Sequence, residues 1–143
     1  MPELMEAARV LGVETDSKPL KSDVAYLTLV SHGLPVKSLD RIAQAVAPDD
    51  ANFKYRIVPK ASLARSKTSK RLTATQSVAV TRLASIWSQA LRIWKSENAA
   101  REFLNRRHAL LAERRPIDLV LENEIGAGLV RGVLGRLEYG SAA

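Results

Sequence analysis

Cysteine is absent from this sequence. That removes disulfide scaffolds, thiolate metal ligands and cysteine nucleophiles together, and it suits a reducing compartment. Histidine is scarce: His32 and His108 are the two. Each falls in an expected loop, and neither has a partner at metal-pair spacing on a helix. No apolar run reaches the ~18 residues needed to span a bilayer. The N-terminal MPELMEAARVLG carries acids and lacks the apolar core of a secretory signal. A cytoplasmic protein without membrane association is expected. No run of alternating β-branched residues reads as a strand, so no Gly-rich phosphate loop follows one. Glu122 and Glu124 stand two apart, which separates them on a helix. An enzyme would therefore lack candidate catalytic residues, and no metal or cofactor is expected.

What is present is apolar material and positive charge. Hydrophobic residues make up 46% of the 143, enough for a packed core and against global disorder. The net charge of +7 is unevenly spread. Residues 1–48 carry 5 Lys/Arg against 6 Asp/Glu, residues 49–115 carry 15 against 5, and residues 116–143 carry 2 against 4. Within the middle block, the span from Asn52 to Arg71 holds Lys54, Arg56, Lys60, Arg65, Lys67, Lys70 and Arg71 and no acid. Such a segment is either a solvated face or the footprint of a polyanion, most often nucleic acid.

Helical periodicity runs through nearly the whole chain, so an all-α fold is expected. Glu3 to Val13 reads as a short helix or arm, and Asp16-Ser17-Lys18-Pro19 as a turn. Lys21 to Ser31 places Val24, Leu27 and Val30 on one face, with Gly33 as the stop. Ser38 is expected to cap a helix whose inner face is Leu39, Ile42, Ala43 and Val46. Asp49 and Asp50 suit the start of a helix over DDANFKYRI. Val58-Pro59 breaks it, and Lys60 to Lys67 forms a short helix. Thr73 and Gln76 match a capping box opening a long helix to Trp94. Its core face is Val80, Leu83, Ile86/Trp87, Ala90/Leu91 and Trp94. Ser96 caps a further helix burying Ala99/Ala100, Phe103 and Leu104. His108 to Arg115 reads as a loop, and Pro116 starts the next helix.

Two short helices joined by a turn, the second basic, resemble a helix-turn-helix. Phe53, Val58 and Leu63 fall five apart, as that motif requires, with Leu63 expected in the core. Phe53 is bulkier than usual for its position, and Ile57 stands where the turn usually has glycine. On this reading Lys60, Ser62, Arg65 and Ser66 face a major groove, and Lys54, Arg56, Lys67, Lys70 and Arg71 meet phosphates.

The last apolar helix spans about Gly126 to Glu138, with Leu129, Val130, Val133, Leu134 and Leu137 as its stripe. Gly128, Gly132 and Gly135 share a second face. Three interior glycines cost about 3 kcal/mol of helix stability relative to alanine. A flat ridge of this kind fits close approach by another backbone, either the protein's own core or a partner.

The string PIDLVLENEIGAGLVRGVLGRLEYG resembles the C-terminal domain of the Xre/ParS-type antitoxins. There a P-x-D-L segment leads to a glycine-containing helix ending in an aromatic residue and Gly. LTATQSVAVTRLASIWSQALRIW resembles the long helix upstream of that domain. The resemblance covers about Gly33 to Gly140 and is strongest from Pro116. It implies an antitoxin of a type II toxin–antitoxin system, of the kind that pairs with a RES-domain toxin degrading NAD. Leu129, Arg131, Leu134, Arg136, Leu137, Glu138, Tyr139 and Gly140 would bind the toxin and block its active site. The N-terminal helices of a homodimer would bind promoter DNA and repress the operon.

The implied organisation is an arm at 1–20, an Xre-like helix-turn-helix region with its long helix at 21–95, and a toxin-binding domain at 96–143. Either the Trp87/Trp94 helix or the glycine ridge could carry the dimer contact. A stand-alone dimeric regulator without a toxin is the alternative.

Overall fold

The structure, a computed structural model, describes residues 2–13, 22–66 and 68–140. The turn expected at Asp16 to Pro19, the expected helix start at Lys21, and Lys67 lie outside the described residues. Every regular element among the described residues is helical, as the periodicity requires. The α-helices are α1 Pro2–Val10, α2 Asp23–His32, α3 Val36–Val46, α4 Lys60–Arg65, α5 Ala74–Trp94, α6 Glu97–Asn105, α7 Pro116–Glu122 and α8 Glu124–Gly135. Short 3-10 turns cover Phe53–Arg56 and Ala109–Leu111, and a π-helical turn, Arg136–Gly140, ends the described chain. None of the described helices is long and apolar enough to cross a membrane.

The chain divides into two compact units, Met1–Ser85 and Ile86–Ala143, with the division falling inside α5. In the first unit the buried apolar residues include Leu11, Tyr26, Leu34, Leu39, Ile42, Val46, Phe53, Val58, Leu72, Val80 and Leu83. The inner face of α3 is as the 3.6-residue period places it, with Leu39, Ile42, Ala43 and Val46 buried. Its start is earlier than expected. Pro35 is the N-cap, and Ser38 lies within the helix, buried, its hydroxyl donating to the Leu11 carbonyl at 3.4 Å.

Gly33 stops α2 with φ of +99°. A Cβ there would sit 2.1 Å from the Leu72 carbonyl oxygen, because the strap at Leu72 donates its N–H to the Leu34 carbonyl at 2.8 Å. The capping box at the head of α5 forms in full: Gln76 N–H donates to Thr73 Oγ1 at 3.1 Å, and Thr73 N–H to Gln76 Oε1 at 2.9 Å.

Expectations for α2 and for the segment after α3 also fail. Val24 and Leu27 do not join Val30 in the core; they are 70% and 61% exposed, and the buried face of α2 is Tyr26 and Val30. Asp49 and Asp50 do not open an α-helix. Asp50 instead accepts the Asn52 N–H at 2.9 Å, and only the four-residue 3-10 turn follows. An aspartate that bonds the backbone two residues on favours such a turn over a helix.

Candidate functional site

In the second unit, α6 is capped as its sequence implies, Ala99 N–H donating to Ser96 Oγ at 3.2 Å. Ala100, Phe103 and Leu104 are buried, and Trp94 stacks at an angle on Phe103 with ring centroids 6.0 Å apart. The expected loop from His108 onward contains the 3-10 turn at Ala109–Leu111, followed by Ala112 and Glu113 with positive φ. His108 Nδ1 accepts the Leu110 N–H, so this imidazole serves as a local cap.

Pro116 opens α7, where its missing N–H costs nothing. Asn123 then separates α7 from α8 and caps the latter, its Oδ1 accepting the Gly126 N–H at 3.0 Å. Asn123 is a start signal that the sequence reading passed over, and Glu124 follows it in the first turn. The N-cap position of α7 belongs to Arg115, and Asp118 occupies its first turn.

Close approach of α7 and α8 rests on Gly126. A Cβ at this position would lie 2.0 Å from the Leu119 carbonyl oxygen and 2.7 Å from its carbon. The expected ridge behaves oppositely. Nothing lies within 4 Å of a Cβ built at Gly128, Gly132 or Gly135, so these glycines do not allow packing beneath the helix. They line its outer side. Ile125, 77% exposed, and Leu129, 55% exposed, stand on the same bare side. The inner face is Gly126, Ala127, Val130, Val133 and Leu134.

The residues expected to meet a toxin therefore divide. Leu134 is fully buried and supports the helix from below. Arg131 is half-buried, its Nη1 donating to Glu124 Oε1 at 2.7 Å. Leu137 is half-buried and borders a cleft of about 300 Å³ with Trp94, Phe103 and His108. Glu138 accepts from Arg92 Nε at 3.0 Å. The last turn is thus held against the unit instead of projecting freely. Leu129, Arg136, Tyr139 and Gly140 remain exposed, Tyr139 to 81%.

The basic segment lies in the first unit. Lys54 and Arg56 sit on the 3-10 turn, and Lys54 pairs with Asp40 Oδ1 at 3.3 Å. The Tyr55 ring lies 5.5 Å from Lys54 Nζ and 5.0 Å from Lys60 Nζ. Helix α4 carries Lys60, Ser62 and Arg65, with Ser66 as its C-cap. Arg65 Nη2 donates to Ser62 Oγ at 3.3 Å. No residue of α4 is buried, so Leu63 is half-exposed and not in the core; Val58 before the helix and Leu72 beyond it are buried. Lys70 and Arg71 are exposed, and Arg71 Nη1 donates to the Gly33 carbonyl at 2.9 Å.

No curated protein matches the chain. A family model does, that of the antitoxin Xre/MbcA/ParS C-terminal toxin-binding domain, over residues 89–140. The matched residues lie inside the second unit and take in the α7–α8 pair with its bare outer side. Residues 89–140 are therefore similar to the toxin-binding domain that Xre/MbcA/ParS antitoxins carry at their C-terminus.

Proposed function

We propose that this protein is an antitoxin that neutralises a RES-domain toxin that degrades NAD, covering the toxin's active site with the outer side of α8 and the turn that follows it. The observation that carries the reading is the bare strip Ile125, Gly128, Leu129 and Gly132, continued by Arg136 and Tyr139. Positions three and four apart share a helix face, so these residues form one surface. Glycines facing outward let a partner's backbone approach, while exposed Ile, Leu, Arg and Tyr are side chains that protein interfaces favour. Leu134, Leu137 and Glu138 hold this surface in place from behind.

The first unit serves the second half of the function, binding of the operon's own promoter by a homodimer. Supporting it are the acid-free cations from Lys54 to Arg71, with Lys60, Ser62 and Arg65 on the exposed helix α4. Phosphate contacts by Lys54, Arg56, Lys67, Lys70 and Arg71 would set position, and α4 would meet base edges. A stand-alone regulator would leave the α8 strip without use.

The test is truncation after Gly135. Antitoxin lacking Arg136 onward should fail to protect NAD from the co-encoded toxin while retaining promoter binding in a gel shift. Full NAD protection by the truncated chain would refute a role for the terminal turn in inhibition.

A further inference from the structure

The cleft that Leu137 borders in the second unit combines an apolar lining with a cationic one. Trp94, Phe103 and Leu137 supply the first, Arg106 and Arg107 the second, and His108 stands among them. The Trp94 ring is not covered: it is 39% exposed, although Phe103 backs it at 6.0 Å between centroids. A more open hollow beside the cleft shares Arg106 and Arg107 and adds Arg115.

The polar groups here are held in place. His108 Nδ1 accepts the Leu110 N–H at 3.2 Å, so the ring hydrogen sits on Nε2 and makes that nitrogen a donor. The imidazole also meets Phe103 edge-on, with centroids 5.9 Å apart. Arg107 Nη1 donates to the Glu113 carbonyl at 3.1 Å, which fixes the guanidinium without neutralising it. Among the described residues Glu102 alone brings a carboxylate to the two hollows, and it pairs with Arg106. Three guanidiniums against one carboxylate leave two positive charges unmatched.

We propose that this cleft binds one nucleoside monophosphate, its base against Trp94 and Leu137 and its phosphate on Arg107 and Arg115. Charge and size select the ligand. A phosphate monoester carries about −1.5 to −2 at neutral pH, which answers both unmatched guanidiniums, whereas a single carboxylate would leave one of them. The planar fork of arginine holds phosphate oxygens in pairs. An exposed indole offers a stacking face to any base, so the cleft takes nucleotides without choosing among bases. Sites for small ligands begin at about 300 Å³, so the cleft has room for a single nucleotide unit. None of Ile125, Leu129, Arg136 and Tyr139 lines it, nor does any cation of the first unit. Its failure therefore leaves the readings of α8 and of the basic segment untouched.

Trp94 makes the test optical, because the other indole, Trp87, is 2% exposed. Titrated with AMP, the full chain should lose fluorescence saturably, with a dissociation constant below about 1 mM. Adenosine and ribose 5-phosphate each lack half of the contacts and should bind at least about tenfold more weakly. Arg107→Gln and Arg115→Gln should each weaken AMP binding about tenfold or more, with unchanged far-UV circular dichroism. Arg65→Gln, in the basic segment of the first unit, should bind AMP as wild type does. Broadening of the AMP phosphorus NMR signal gives a second readout that does not depend on tryptophan. No saturable binding by either readout overturns the proposal, as do equal binding of adenosine, full affinity in either cleft variant, or an equal loss in Arg65→Gln.

Discussion

Alanine at two glycines of one helix should move stability in opposite directions. Gly126 and Gly132 both lie in α8, and neither has positive φ, so alanine suits both backbones. At Gly126 the new methyl would stand 2.0 Å from the Leu119 carbonyl oxygen. The obstacle is the backbone of α7, which cannot swing aside as a side chain would. Forcing atoms into a packed site costs typically 1–3 kcal/mol, and a rigid obstacle argues for about 3. Alanine's helix preference recovers less than about 1 kcal/mol at this first-turn position, leaving a net loss of about 2 kcal/mol.

At Gly132 nothing lies within 4 Å, so only the preference remains, a gain of about 1 kcal/mol. For a domain of 60–100 residues each kcal/mol moves Tm by about 4–8 °C. Gly126→Ala should therefore melt at least about 8 °C lower, and Gly132→Ala about 4 °C higher. Both tryptophans, Trp87 and Trp94, lie in the second unit, so their fluorescence follows its melting selectively. A Gly126→Ala variant melting within about 2 °C of wild type would refute the close approach. The Gly132→Ala protein, though more stable, should bind toxin more weakly, because its methyl stands on the proposed contact strip.

Thr73→Ala removes half of the capping box and should lower stability by about 1 kcal/mol in urea titrations, with Gln76→Ala losing less. Burial raises the Tyr26 hydroxyl above its usual pKa of 10, the bond to Thr81 opposing this in part. The folded state thus holds its proton where the unfolded state releases it. Its contribution is complete below pH 10 and is lost as pH rises toward the folded value. Tyr26→Phe should accordingly show a flatter fall in stability above pH 10 than wild type, measured by denaturation at stepped pH. Arg65→Ala should weaken specific operator binding more than non-specific binding in gel shifts, and equal losses would make Arg65 a phosphate contact.

Local signals were the legible part of the fold. The Thr73/Gln76 box, the Ser96 cap, Pro116 at a first helical position and the inner face of α3 depend on residues within one turn, and all four stand as read. Several misread features depend on distant partners. Periodicity cannot choose a buried side for α2, because apolar residues occur on both, and Thr81 settles it from another helix. Leu63 follows the motif's spacing, yet a six-residue helix has too little length to press it into the core. Leu134 and Leu129 read as one stripe, though one is fully buried and the other largely exposed.

The same dependence explains the glycines. Sequence alone shows that some backbone must come close to this helix, since several glycines are costly without a purpose. It does not show which glycine lies at the crossing. That point is fixed by Asn123, whose cap turns the chain sharply enough to set α8 back across α7, bringing Gly126 onto Leu119. Once Gly126 has met the internal requirement, Gly128 and Gly132 have no structural need left to serve. Each still costs helix stability, and each stands on the outer side beside Ile125 and Leu129. Residues that weaken a helix without helping its packing point to a requirement outside the chain, which the proposed toxin contact on this side of α8 would supply.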